Sequence, residues 1–243
     1  MSSVTRAARR LPVLALLAVV SAMTGACGGK ESTSPPVPVA VEKVSGDGQS
    51  GTAHDALAQP LVVKVVDASG AGVAGVKIVW ATSYPGGSDL DSSTTGQTGV
   101  ARLAMTLDTV AGSYTVTASA TQLSPVIFTI TCRPGPIAML RILVQPPNGT
   151  VLTVLSPPVQ VEVADQWGNN VPSNAVNLYV WITVGSGTAG AQLGGTTTRT
   201  TNEGVATFDD LTIDRAGVGY TLAFRSDYPL LGVWSESFAV TGP

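Results

Sequence analysis

One stretch of this chain is written twice. Pro60-Leu-Val-Val-Lys-Val-Val-Asp67-Ala-Ser-Gly70 returns as Pro158-Val-Gln-Val-Glu-Val-Ala-Asp165-Gln-Trp-Gly168, an offset of 158 − 60 = 98. Further landmarks follow in the same order: Trp80 with Trp181, Gly99-Val-Ala101 with Gly204-Val-Ala206, Tyr114 with Tyr220, and Phe128 with Phe238. The offset drifts to 238 − 128 = 110, as small loop insertions produce. Self-similarity at a fixed spacing marks a structural unit used in tandem, here of roughly 100 residues. Inside each unit apolar residues recur every second position. Val159 to Val163 and Tyr114 to Ala118 alternate, and Ala101, Leu103, Met105 and Leu107 share a face. Period two with Gly, Pro, Asn and Asp between runs means half-buried strands, and no amphipathic helical stretch competes with them. The expectation is all-β: two tandem β-sandwiches, residues 37–135 and 136–243. They join near Arg133-Pro-Gly-Pro136, where two prolines leave few backbone states and predict a semi-rigid connection. The two Asp-x-x-Gly segments, Asp67 to Gly70 and Asp165 to Gly168, read as turns in which Asp caps and Gly supplies positive φ.

Ahead of the repeats lies an address. Arg6, Arg9 and Arg10 precede an apolar run from Leu11 to Met23, then Thr24-Gly25-Ala26-Cys27. A basic start, a short apolar run and small residues before a cleavage point describe an export signal, residues 1–26. The run falls short of the ~20 apolar residues of a membrane-spanning helix. A cysteine directly after the small residues resembles the lipobox of bacterial lipoproteins. That resemblance implies an acylated Cys27 and, with Gly28 rather than Asp after it, an outer-membrane anchor. The other reading is an ordinary cut after Ala26 that leaves a free thiol on a periplasmic or secreted protein. Residues 27–36, with Gly-Gly, Ser-Thr-Ser and Pro-Pro, read as a flexible tether.

Charge and composition then exclude several chemistries. The chain holds 13 basic and 16 acidic residues, and the signal removes three Arg, leaving 10 − 16 = −6. A net acidic protein lacks the basic footprint that nucleic acid requires, so no such partner is expected. One His and two Cys among 243 residues are too few for a zinc site, an iron–sulfur cluster or a disulfide framework. No cofactor or metal is expected.

The first repeat carries a recognisable series: Gly46 to Gln49, Pro60 to Val65, the Asp67 to Gly70 turn, Thr95 to Ala101, and Gly112 to Ala118. This resembles the bacterial immunoglobulin-like domain, group 1, of the invasin and intimin type; the second repeat matches more loosely. The resemblance implies two tandem immunoglobulin-like β-sandwiches in a cell-surface protein whose domains act as spacer, adhesion or interaction modules rather than as an enzyme.

Gly46-x-Gly48-x-x-Gly51 spells a dinucleotide loop, but Ser, Thr, Ala and His follow where a helix must start, so it reads as a turn between edge strands. His54-Asp55 is the lone imidazole–carboxylate pair, and no Gly-x-Ser-x-Gly elbow accompanies it. Asp89, Asp91, Asp209, Asp210 and Asp214 lack the dense spacing of a calcium loop and read as solvated acids. Trp80 and Trp181 are expected at equivalent core positions, although Trp181 lies out of step with Val180 and Ile182. Trp167, Tyr228 and Trp234 fall in turns or short loops where no core demands them. They are the candidate ligand-binding residues, for a surface glycan or a protein. Cys132 alternates in step with Val126, Phe128 and Ile130, so it is expected to face the core as an inert, unbridged thiol.

Overall fold

The computed structural model describes residues 35–84, 89–173, 175–227 and 231–242. Cys27 and Tyr228 lie outside them. Residues 36–243 form one compact unit built on two separate apolar cores, and no helix occurs among the described residues.

The first half contains β1 (Ala40–Ser45), β2 (Ser50–Thr52), β3 (Leu61–Val66), β4 (Lys77–Thr82), β5 (Asp89–Thr94), β6 (Val100–Leu103), β7 (Gly112–Ser119) and β8 (Val126–Arg133). These build a three-stranded sheet, β1-β3-β6, and a five-stranded sheet, β2-β8-β7-β4-β5. Every pairing is antiparallel except β2 with β8, which runs parallel. Inward residues of both sheets close over Trp80 and Phe128, whose rings sit 6.1 Å apart. Burying such a side chain contributes on the order of 1.5–3 kcal/mol, which is why the period-two pattern commits each strand to one face.

The second half repeats the plan with β9 (Met139–Val144), β10 (Gly149–Thr150), β11 (Val159–Ala164), β12 (Asn177–Ile182), β13 (Leu193–Gly194) and β14 (Thr198–Thr200). It continues with β15 (Val205–Phe208), β16 (Thr212–Ile213), β17 (Gly217–Tyr220), β18 (Leu222–Ser226), β19 (Gly232–Trp234) and β20 (Phe238–Thr241). Strands β9-β11-β15 repeat the smaller sheet. The larger sheet is split in two, β14-β12-β18-β19 and β10-β20-β17, where Thr221 separates β17 from β18 and residues 235–237 separate β19 from β20. A short β13-β16 ladder is an addition.

Both halves carry the same fold-defining details. Tyr114 donates its hydroxyl proton to the Val110 carbonyl at 3.0 Å, and Tyr220 does the same to Arg215 at 2.8 Å. A tyrosine bonding back to the chain just upstream of its strand is a hallmark of immunoglobulin-like sandwiches. In both Asp-x-x-Gly turns, one carboxylate oxygen accepts two backbone N–H groups, from Ser69 and Ala71 in the first and from Trp167 and Asn169 in the second. Gly70 (φ 83°) and Gly168 (φ 84°) take the left-handed conformation that the turn needs. The two-sandwich fold is thus immunoglobulin-like.

The strand registers correct two correspondences drawn from sequence. Val76 N–H donates to Thr95 Oγ1, and Val176 N–H donates to Thr201 Oγ1, so Val176 is the counterpart of Val76. Trp80 therefore matches Val180, not Trp181. Trp181 lies one residue further along β12 and faces outward, 40% exposed, whereas Trp80 is fully buried. Likewise Gly51 pairs with Cys132, and Gly149 pairs with Val240. Val240 is the counterpart of Cys132, and Phe238 is that of Ile130 rather than of Phe128. Cys132 itself is buried and unbridged, its thiol pushed up from the usual range by burial.

Candidate interaction face

Groups that sequence offered for chemistry are absorbed by structure. The Gly46–Gly51 segment is a turn whose Gln49 side chain donates to the carbonyls of Gly46 and Gln59 and accepts from Gln59 N–H. Asp47 bonds Lys43 and accepts from Thr129 N–H at 2.8 Å. The Asp47 carboxyl lies below its usual pKa, chiefly because of Lys43. Asp210 accepts from both the hydroxyl and the N–H of Thr196, which lowers its pKa too. Asp214 accepts from Gln192 N–H, and Asp209 pairs with Arg199. Among the described residues no group of three His, Cys, Asp or Glu side chains is placed to hold a metal ion.

His54 and Trp167 meet each other at the joint between the sandwiches. Their rings lie 5.2 Å apart. Beneath them Asp165 is fully buried and accepts from Gly135 N–H, from the Asn169 side-chain amide and from two turn N–H groups. Burial works to raise the Asp165 pKa, but these hydrogen bonds outweigh it and the net shift is downward. Asn169 then reaches the first sandwich, donating to Thr109 carbonyl at 2.7 Å and accepting from Ala111 N–H at 2.8 Å. The connection between the sandwiches is a hydrogen-bonded clasp as well as a proline-stiffened crossing.

The open surface lies elsewhere, on the outer face of β14-β12-β18-β19. Residues directly opposite one another in a sheet point to the same side. Trp181 is opposite Ala223, which is opposite Trp234, so two indoles flank one methyl group. Ala223 is 2% exposed under them, while Trp234 is 65% exposed. In the next row Tyr179, 42% exposed, is opposite Arg225, which is opposite Gly232. A side chain built at Gly232 would meet the Trp234 ring at 3.8 Å, so that indole leans over Gly232 toward Arg225. Two shallow depressions mark this face. One of about 370 Å³ is lined by Tyr179, Trp181, Arg225, Ser226 and Asp227, and the other, about 230 Å³, by Trp181, Arg225, Leu231 and Trp234 among others.

Of the three aromatic candidates from sequence, Trp234 lies on this face, Trp167 lies in the joint, and Tyr228 is outside the described residues. No ring contact links Trp167 to Trp234 among the described residues. Tyr179 and Trp181 were missed as surface residues. Their signal was present: Leu178, Val180 and Ile182 alternate against them, and the inward set is the aliphatic one.

No protein-family model matches this chain, and no curated protein matches it. Among solved structures it is similar to invasin, described as a bacterial integrin-binding protein, at 22% identity and a TM-score of 0.38, over 82% of this chain and 39% of that one. It is similar to the Escherichia coli adhesin FdeC at 15% identity and a TM-score of 0.38, over 84% of this chain and 63% of that one. It is similar to the Yersinia pseudotuberculosis adhesin InvE at 15% identity and a TM-score of 0.37, over 82% and 58%. The chain spans less than two thirds of the length of each.

Proposed function

We propose that this protein is a non-catalytic lipoprotein of the cell envelope, held to the outer membrane through acylated Cys27. Its two immunoglobulin-like sandwiches serve as spacer and interaction modules. The observation that carries this reading is where the reactive groups go. His54 packs on Trp167 and the capping acids hold turns, while three aromatic side chains of the second sandwich stay open on one sheet face. That arrangement suits contact and not bond-making. Residues 27–36 fit the same picture, as a tether between anchor and modules.

Fractionation of cells that produce the full chain tests the anchor. The unaltered protein is expected in the outer-membrane fraction, and Cys27→Ala is expected in the soluble periplasm or medium. Identical partitioning of the two proteins removes the lipoprotein reading and favours a periplasmic or secreted one.

A further inference from the structure

The outer face of β14-β12-β18-β19 has a composition that selects among ligands, and we infer that it binds a neutral oligosaccharide of pyranose sugars. This deepens the interaction role proposed above by naming the ligand class and the residues that take it.

Three features of the face carry the inference. The first is its flatness. Trp181 and Trp234 stand on strands two apart, hence about 10 Å between backbones, with Ala223 as a low floor between them. Flat rings either side of a low floor suit linked, flat sugar rings, whose C–H faces stack on indoles while hydroxyls point sideways. The second is the hydrogen-bonding rim. The guanidinium of Arg225 makes no hydrogen bond or ion pair among the described residues, although Trp234 leans toward it and Tyr179 is its strand neighbour. It presents five donors in a fixed fork, which hydroxyl and ring oxygens can accept, and the Tyr179 hydroxyl adds a group that donates and accepts. The third is charge. Arg225 is accompanied by Asp227, which lines the same depression, so the face has no cationic excess. A polyanion finds the one positive group offset by a carboxylate beside it, whereas an uncharged polyhydroxylated ligand meets no such penalty.

Size separates this from a protein-docking surface. A standard protein interface engages about 20–30 residues a side and buries ~800 Å² per partner. Here the exposed apolar surface rests on three aromatic side chains, an area suited to a few sugar rings. The depressions of about 370 and 230 Å³ are shallow troughs in an otherwise polar sheet. The first sandwich has no counterpart, because the position equivalent to Trp181 is Ala81.

The test is calorimetric titration of the full chain in detergent micelles with hexasaccharides of glucose, N-acetylglucosamine and mannose, and with a galacturonate oligomer as the anionic comparison. Saturable binding of at least one neutral hexasaccharide is expected. It should weaken about tenfold or more in Trp181→Ala and in Trp234→Ala, each an exposed residue whose removal leaves the melting temperature unchanged. Trp167→Ala, in the joint, should bind as the unaltered protein does. Arg225→Gln should weaken binding without abolishing it, since the ring contacts remain. The inference is overturned if no neutral hexasaccharide binds, if only the galacturonate does, or if binding survives both tryptophan substitutions. Sedimentation showing that the face is closed by a second copy, or by a protein partner, overturns it as well. None of these outcomes bears on the anchor, which the fractionation of Cys27→Ala decides separately.

Discussion

Replacing Asn169 by alanine isolates the clasp between the sandwiches. Asn169 holds the counterpart position of Ala71, and Ala71 N–H donates to its turn aspartate at 3.1 Å as Asn169 N–H does at 2.9 Å. Alanine therefore already serves at this point of the same turn, and the turn itself tolerates the change. Two hydrogen bonds to Thr109 and Ala111 of the first sandwich disappear, together with the amide bond to Asp165. At about 0.5–1.5 kcal/mol net for each cross-joint bond, the second sandwich loses about 1–3 kcal/mol of coupling to the first. Scanning calorimetry of the full chain is the assay. The unaltered protein should melt with the two sandwiches coupled. Asn169→Ala should lower the first transition by several degrees or separate it from the second, and Ala71→Asn on the exposed first turn should do neither. Superimposable melts for Asn169→Ala and the unaltered protein refute the idea that this clasp couples the sandwiches.

Other outcomes follow from the same geometry. Asp165→Asn should cost about 2–3 kcal/mol at pH 7, because an amide cannot accept from four donors at once; denaturant titration measures it. Since the folded Asp165 pKa lies below its unfolded value, its contribution is present above the ordinary carboxylate range and disappears as pH falls through the folded pKa. The gap between Asp165→Asn and the unaltered protein should accordingly narrow below about pH 4. Cys132→Val should fold within about 1 kcal/mol of the parent, as valine holds the equivalent place in the second sandwich, and the native thiol should react slowly with a thiol reagent until denaturant is added. Gly187→Ala should destabilise clearly by thermal melting, since its Cβ would stand 2.1 Å from the Tyr220 ring and the residue sits at φ 62°.

Much of this architecture was legible in the sequence because it depends on short-range rules. Alternation set the faces of β7, β8 and β11. The Asp-x-x-Gly spelling gave the two turns, and parity placed Cys132 inward. What misled was matching like with like across the repeats. Trp80 and Trp181 look paired, yet β12 places its tryptophan one residue later than β4 does, and a shift of one residue turns a side chain from core to solvent. Phe128 and Phe238 were matched in the same way. The irregularity in β17 and the Ser235 contacts, in which its N–H donates to the Leu222 carbonyl and its hydroxyl accepts from Leu222 N–H, interrupt the strand that would have kept the count. The joint lay beyond reach for a different reason. Asn169 and His54 acquire their roles only from a sandwich more than 50 residues away in sequence, and nothing local distinguishes them from other polar turn residues.

The proposed function depends on which tryptophans the folded protein shows to its surroundings. Hydroxyl-radical footprinting of the purified full chain, read by mass spectrometry, asks this directly. Trp181 and Trp234 should oxidise rapidly and Trp80 should stay protected until the protein is denatured. Protection of Trp181 and Trp234 to the level of Trp80, or early oxidation of Trp80, would contradict the open face on which the proposed function stands.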